Sequence, residues 1–179
     1  ISRKGFERIT KADPDILTSM IQVMLTRLRE GRKPNKRNAP KVFALVATSP
    51  TIDLKLRAEA LEASLARFDM KCRIIEETEG RDKPTGYFDE LEANNDIVML
   101  VTSVGDSSWF RLSTRQADRV WVFGRADARP SKPLMPSHDS PARALQLVDI
   151  ILLHHNSERQ ASHPSEWLEA SGAARLFHW

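Results

Sequence analysis

The sequence predicts an α/β domain of the Rossmann-like, three-layer class, with a mostly parallel five-stranded sheet preceded by an N-terminal helical segment. Three observations support this fold. Short apolar runs of strand length recur from Lys41 onward. Segments with one apolar face at helical spacing lie between these runs. The runs are apolar throughout rather than alternating, which is typical of parallel strands that helices cover on both faces.

A helix is predicted near the beginning of the chain, over residues 14–30. Asp13 supplies a capping carboxylate, Pro14 suits the first helical turn, and Gly31 marks the end. Apolar residues recur on one side of this helix at three- and four-residue spacing: Leu17, Met20, Ile21, Met24 and Leu28. We expect this stripe to pack on a neighbouring domain, and a homodimer formed through helix 14–30 is the alternative.

The domain organisation follows from a change of pattern near residue 40. Residues 1–31 form the helical segment, residues 32–40 a linker, and residues 41–179 the α/β domain. The linker contains two prolines and four basic residues. It is therefore predicted to be a solvated tether, with contact to anionic lipid or nucleic acid as the alternative. Because the chain does not begin with methionine, we expect it to be a fragment of a longer protein.

Five strands and the helices between them are predicted within residues 41–179. Strands are expected at residues 42–47, 71–75, 97–101, 120–123 and 147–153. Helices are expected at residues 51–68 with Thr51 as the cap, at 86–94, at 109–116 and around 167–168. The first and third strands are the most apolar, so they should be adjacent and central. The second strand is more polar and should lie at an edge, giving the order 2-1-3-4-5.

Composition indicates a globular protein of a reducing compartment. The 179 residues are 41% hydrophobic and 28% charged, with a net charge of +3. Charges of both signs are interleaved, which disfavours a nucleic-acid partner. The single cysteine, Cys72, excludes an intrachain disulfide, and no apolar run approaches the roughly 20 residues that span a bilayer. We therefore expect a cytoplasmic chain.

Polar residues follow several of the predicted strands, where open α/β sheets bind their ligands. They are Thr48-Ser49-Pro50, Thr102-Ser103-Val104-Gly105-Asp106, Gly124-Arg125-Ala126-Asp127 and His154-His155. The first of these turns contains neither Gly-x-Gly-x-x-Gly nor Gly-Lys-Ser/Thr, and Pro50 has no amide hydrogen to offer an anion. The sequence therefore predicts a degenerate site without a cofactor, and a functioning small-molecule or nucleotide pocket is the alternative.

Neither catalytic nor metal-ligating residues are predicted. Ser49 and Ser103 lie outside a Gly-x-Ser-x-Gly elbow, and each is expected to cap the helix that follows it. Neighbouring residues of a strand point to opposite faces, so the two adjacent histidines make a poor chelating pair. The potential ligands have no spacing typical of a metal site: His138, His154, His155, His163, His178 and Cys72. Trp121 and Trp167 are expected in the core.

Three stretches of the sequence together resemble one protein family. Residues 114–124, Thr-Arg-Gln-Ala-Asp-Arg-Val-Trp-Val-Phe-Gly, are similar to a segment of neuropathy target esterase-type phospholipases in which an Arg-Gln-Ala-Asp element leads into a strand. Residues 152–155, followed by residues 164–168, resemble the next segment of those proteins. Helix 14–30 is similar to the last helix of a cyclic nucleotide-binding domain. The resemblance extends over essentially the whole chain.

The resemblance implies the region between the cyclic nucleotide-binding domain and the patatin hydrolase domain of a multidomain patatin-like (lyso)phospholipase. In that family a Ser–Asp dyad hydrolyses lipid esters, with the serine in Gly-x-Ser-x-Gly and the oxyanion hole in a glycine-rich Gly-Gly-Gly-x-Arg/Lys-Gly stretch. This sequence contains neither element. The resemblance therefore assigns no catalytic, cofactor-binding or metal residue to this chain.

The resemblance therefore implies a non-catalytic connecting or regulatory domain. Its implied partners are the two adjacent domains of the parent protein, which is expected to be peripheral at the membrane. The alternatives are a free-standing small-molecule or nucleotide-binding α/β domain and a dimerisation module.

Overall fold

The computed structural model describes residues 39–131, 134–135, 147–155 and 161–179. The chain divides into two units, Ile1–Ala39 and Pro40–Trp179, and every helix and strand given below belongs to the second unit. The helix predicted at 14–30 and residues 32–38 of the predicted linker lie outside the described residues.

Six strands and five helices alternate in the described part of the chain. The strands are β1 (Val42–Ala47), β2 (Cys72–Ile75), β3 (Ile97–Ser103), β4 (Arg119–Arg125), β5 (Leu147–Leu153) and β6 (Arg175–His178). The helices are α1 (Leu54–Ala66), α2 (Glu77–Gly80), α3 (Thr85–Asn94), α4 (Ser108–Gln116) and α5 (Pro164–Ser171). All five predicted strands are present. Helix α2 lies between the second predicted strand and the predicted helix at 86–94, and β6 follows the last predicted helix.

The sheet is parallel throughout, with the order β2-β3-β1-β4-β5-β6. The predicted α/β class is confirmed, as are the adjacency of β1 and β3 and the edge position of β2. The predicted count of five strands and the order 2-1-3-4-5 are wrong. Strand β2 pairs with β3 rather than β1, and β6 forms the other edge. The polar composition of β2 indicates an edge strand, but it does not indicate which strand pairs with β2.

The strand order explains why the two faces of the sheet differ. The connection from β1 to β2 runs in one direction along the sheet, and the four later connections run in the other. Because parallel crossovers are right-handed, the first connection must lie on one face and the later ones on the opposite face. Helix α1 accordingly packs on what we call the α1 face, whereas α3, α4 and α5 pack on what we call the aromatic face.

Two fully buried tryptophans anchor the aromatic face. Trp109 of α4 is 0% exposed and Trp167 of α5 is 1% exposed. Each indole N–H donates to a backbone carbonyl, that of Val101 at 2.8 Å and that of Ala128 at 3.1 Å. Both rings are therefore buried without leaving a polar atom unsatisfied.

A glycine in the sheet makes room for one of these rings. A Cβ added at Gly124 of β4 would lie 2.5 Å from the Trp167 ring, closer than carbon atoms can approach without displacement. The absence of a side chain at this position lets α5 rest directly on the sheet.

Candidate functional site

A cleft of about 680 Å³ opens at the carboxyl ends of β1, β4 and β5. Its lining comes from residues 51–53, 56–57, 125–127 and 153–155 and from Ser162. The chain leaves β1 toward the α1 face, and it leaves β4 and β5 toward the aromatic face. The cleft thus lies where connections diverge, which is where open α/β sheets bind ligands. Of the predicted strand-end residues, those at 125–127 and 154–155 line it, whereas Gly124 and those at 48–50 and 102–106 do not.

A side-chain carboxylate of the loop after β1 caps the first turn of α1. The Asp53 carboxylate accepts a hydrogen bond from the backbone N–H of Leu56 at 3.0 Å, so Asp53 caps the helix. The prediction that Thr51 is the cap is wrong, because the backbone N–H of Ile52 donates to the Ser49 carbonyl at 3.1 Å and forms a turn before the helix begins. In a P-loop, phosphate accepts from such free helical amides. In this chain the Asp53 carboxylate accepts the hydrogen bond of such an amide instead.

Neither candidate serine is hydrogen-bonded to a base among the residues that the structure describes. The hydroxyl of Ser49 lies 2.9 Å from the hydroxyl of Thr51, which is not a base. Ser103 is the last residue of β3, and Ser107 rather than Ser103 caps α4 by accepting from the Phe110 N–H at 3.0 Å. The predicted capping role of Ser103 is wrong because a four-residue turn separates it from the helix.

Two arginines on the cleft differ in their surroundings. Arg125 donates twice to Asp127, at 3.0 and 2.6 Å, and these hydrogen bonds hold the pKa of Asp127 below its ordinary value of 3.8. Arg57 of α1 is half-buried and lies 5.4 Å from the ring centroid of Trp179. Among the described residues no carboxylate forms a salt bridge with Arg57.

One pair of histidines meets beside the cleft. Nε2 of His154 lies 2.8 Å from Nδ1 of His178, so one imidazole donates and the other accepts. The sequence drew attention to His154 and His155, which are neighbours along the chain. The actual contact joins residues 24 positions apart, because β5 and β6 pair side by side. Without knowledge of β6, nothing in the sequence could have predicted it.

Three further candidate metal ligands are His163, Cys72 and His138. His163 contacts Glu166 at 3.1 Å, and Arg129 donates to its Nε2 at 3.2 Å. Burial raises the pKa of the Cys72 thiol to about 11, so it stays protonated at neutral pH and is a poor ligand. His138 lies outside the described residues. Within the described ranges, no group of three or more His, Cys, Asp or Glu residues could hold a metal ion.

The Arg-Gln-Ala-Asp element joins strands together rather than forming a ligand site. The carboxylate of Asp118 accepts from the backbone N–H groups of Lys41 and Val42, at 2.9 and 3.0 Å. It therefore fixes the beginning of β1 beside the beginning of β4, across 76 or 77 positions of sequence.

The next residues of the same stretch form a buried charged network on the α1 face. Asp149 of β5 is 1% exposed and accepts from Arg119 at 2.9 Å, from the Trp121 indole at 3.2 Å and from Arg175 at 3.0 Å. Burial raises the pKa of Asp149, while Arg119 and the Trp121 N–H oppose the rise. Trp167 lies in the core as predicted, whereas Trp121 is half-buried and packs on Phe43 with ring centroids 4.9 Å apart.

The parallel strand order and the strand-end cleft define an open α/β domain, and its loop after β1 contains no Gly-x-x-x-x-Gly-Lys-Ser/Thr motif. A family model described as the Neuropathy Target Esterase family P-loop like domain matches residues 51–178. The chain belongs to this family, which confirms the resemblance found in the sequence. None of the curated proteins matches the chain significantly. No helix among those described is long and apolar enough to cross a membrane.

Proposed function

We propose that this chain is a non-catalytic connecting or regulatory domain of a multidomain patatin-like (lyso)phospholipase that hydrolyses lipid esters. One observation carries the proposal. In a chain whose family is described as P-loop-like, the Asp53 carboxylate takes the helical amide that a nucleotide phosphate would use. Membership of the neuropathy target esterase family supports a parent protein with esterase activity.

The surroundings of the serines support the non-catalytic part of the proposal. Ester hydrolysis needs an activated nucleophile, a base beside it and donors directed at the developing oxyanion. Ser49 is hydrogen-bonded to Thr51, and Ser103 lies at an exposed strand end. We propose that the nucleophile belongs to a patatin hydrolase domain of the parent.

The surface of the α1 face supports a connecting role. Leu147 of β5 and Phe177 of β6 lie on this face and are 46% and 44% exposed. Exposed apolar side chains on the last two strands of the sheet are suited to contact with another domain. We propose that the partners are the adjacent cyclic nucleotide-binding and patatin domains, in a cytoplasmic protein that is peripheral at the membrane.

Labelling with a fluorophosphonate probe tests the absence of catalysis. The chain alone should remain unlabelled, and it should not hydrolyse p-nitrophenyl esters or lysophospholipids above the buffer rate. The positive control is the parent protein extended through its hydrolase domain, which should be labelled. Labelling of the chain alone that Ser49→Ala or Ser103→Ala abolishes would show that the domain is catalytic.

Deletion of residues 41–179 from the parent protein tests the connecting role separately. The deleted parent should still be labelled by the probe, because its nucleophile is retained. Its lipid-ester hydrolysis or its membrane association should change. A deleted parent that matches the intact one in both properties would contradict the connecting role.

Calorimetric titration tests whether the loop after β1 binds the phosphates of a nucleotide. ATP and NAD should bind the chain with dissociation constants weaker than about 10 μM, corresponding to roughly −7 kcal/mol. The physical reason is that neither a lysine nor a free backbone cradle replaces the hydration of the phosphates. Tighter binding of either nucleotide would instead support the small-molecule-binding alternative.

A further inference from the structure

We propose that the strand-end cleft binds an organic anion that carries one phosphate or carboxylate group beside an apolar group. The connecting role does not require this site, so the inference goes beyond the proposed function. It depends on the chemical surroundings of two neighbouring residues of α1, Arg57 and Leu56, both of which line the cleft.

Arg57 supplies the positive charge. The residue is half-buried, its guanidinium carbon lies 5.4 Å from the centroid of the Trp179 ring, and none of the described carboxylates forms a salt bridge with it. A guanidinium presents donors in a planar fork that matches the oxygens of a carboxylate or phosphate. The ring holds Arg57 at the cleft, so little side-chain freedom is lost when an anion binds.

The other charged side chains of the cleft already have partners. Arg125 and Asp127 neutralise each other through two hydrogen bonds, and the Asp53 carboxylate keeps its charge but accepts a hydrogen bond from the first turn of α1. Arg57 is therefore the arginine of the cleft whose guanidinium is not paired with a carboxylate among the described residues. This pattern fits a ligand with one anionic group and does not fit the adjacent phosphates of a nucleoside triphosphate.

Leu56 supplies the apolar surface. It is 56% exposed and shares the cleft wall with buried Ile52 and half-buried Leu153. Covering this surface would remove apolar area from water. The cleft volume of about 680 Å³ lies within the roughly 300–1,000 Å³ of small-molecule sites.

Titration with phenyl phosphate, followed by amide chemical shifts in two-dimensional NMR of the whole chain, tests the proposal. Shifts should concentrate at Thr51, Arg57, Ala126 and His154, with a dissociation constant of about 1 mM for so small a ligand. Inorganic phosphate lacks the apolar group and phenol lacks the charge. Each should bind at least about tenfold more weakly, because it makes only one of the two contacts.

A matched pair of variants tests the role of Arg57. Arg57→Gln should weaken phenyl phosphate binding about tenfold, whereas Arg67→Gln, an exposed site at the end of the same helix, should leave it unchanged. Arg57→Lys keeps the charge and should retain part of the affinity. The amide spectrum of each variant shows whether it is folded. The proposal is overturned if phenyl phosphate shifts no cleft amide in the wild-type chain, or if folded Arg57→Gln binds it with unchanged affinity.

A second arm distinguishes a lipid head group from a soluble anion. Phosphatidylcholine vesicles with and without phosphatidic acid are sedimented with the chain. Sedimentation that requires phosphatidic acid and falls in Arg57→Gln would identify a lipid as the source of the anion. Binding of phenyl phosphate without such sedimentation would identify a soluble ligand. The fluorophosphonate result is independent of both outcomes, so the two proposals can fail separately.

Discussion

The two faces of the sheet are stabilised in different ways, although the same six strands form both. The aromatic face buries Trp109 and Trp167 completely beneath helices. The α1 face has helix α1 packed on β1, β2 and β3 and, farther along the sheet, the buried Asp149 carboxylate with its arginine and tryptophan donors. The difference follows from the direction of the crossovers, since connections that run the same way must share a face.

The two faces are stabilised by different interactions. Close packing of large aromatic rings removes much apolar surface from water and contributes strongly. A buried ion pair contributes less on balance, because desolvation of its charges offsets their attraction, yet removal of one partner is costly. We therefore expect the aromatic face to dominate the free energy of unfolding and the Asp149 network to fix how β4, β5 and β6 are joined.

The largest expected effect comes from replacing the tryptophan that anchors the aromatic face. Trp109→Ala should lower the free energy of unfolding by about 4 kcal/mol, because it leaves a cavity beneath α4. The matched variant Trp121→Ala on the α1 face should cost about half as much, since that ring is only half-buried. Urea denaturation measures both. Equal losses would show that the two faces contribute alike.

A somewhat smaller effect is expected from neutralising the carboxylate of the α1 face. Asp149→Asn should lower the free energy of unfolding by about 3 kcal/mol, because largely buried Arg119 loses its counter-charge. Asp127→Asn makes the same chemical change in an exposed pair and should have little effect. If denaturation gives the same small change for both variants, burial of the Asp149 network does not matter to stability.

The smallest expected effect concerns a rim contact of the aromatic face, where the Tyr87 hydroxyl donates to Glu79 at 2.5 Å. This hydrogen bond and Arg73 lower the pKa of Glu79, while partial burial opposes them. A lowered folded-state pKa gives stability that is present above the ordinary value of 4.5 and is lost as the pH falls through the folded-state value. Because Glu79 is partly exposed, Glu79→Gln should cost only about 0.5 kcal/mol at pH 7.

Urea denaturation at pH 7 and at pH 3 checks the sign of this effect. The difference between wild type and Glu79→Gln should shrink at the lower pH, where the wild-type carboxylate becomes protonated. Tyr87→Phe removes the same hydrogen bond and serves as the control. A difference that grows on acidification would contradict the lowered pKa of Glu79.

The elements that the sequence predicted well are those with strong local signals. Strands β1 and β5 have their predicted bounds, β3 begins at its predicted residue, and α1 lies within the predicted range 51–68. Strand β6, Arg-Leu-Phe-His, is four residues long and half polar, so it gives no periodic signal. The helix cap was misassigned because Thr51 and Asp53 are both good capping residues, and the turn at Ser49 decides between them.

The sequence by itself determined the α/β class, the edge position of β2 and the lack of a phosphate-binding motif after β1, because each depends on residues close together along the chain. The tertiary structure alone decided which strand lies beside β2, how Asp149 meets Arg119 and Arg175, and how His154 meets His178. It also placed Arg57 against Trp179 at the mouth of the cleft. These contacts join residues far apart in sequence, and only the order of the strands brings them within a few ångströms of each other.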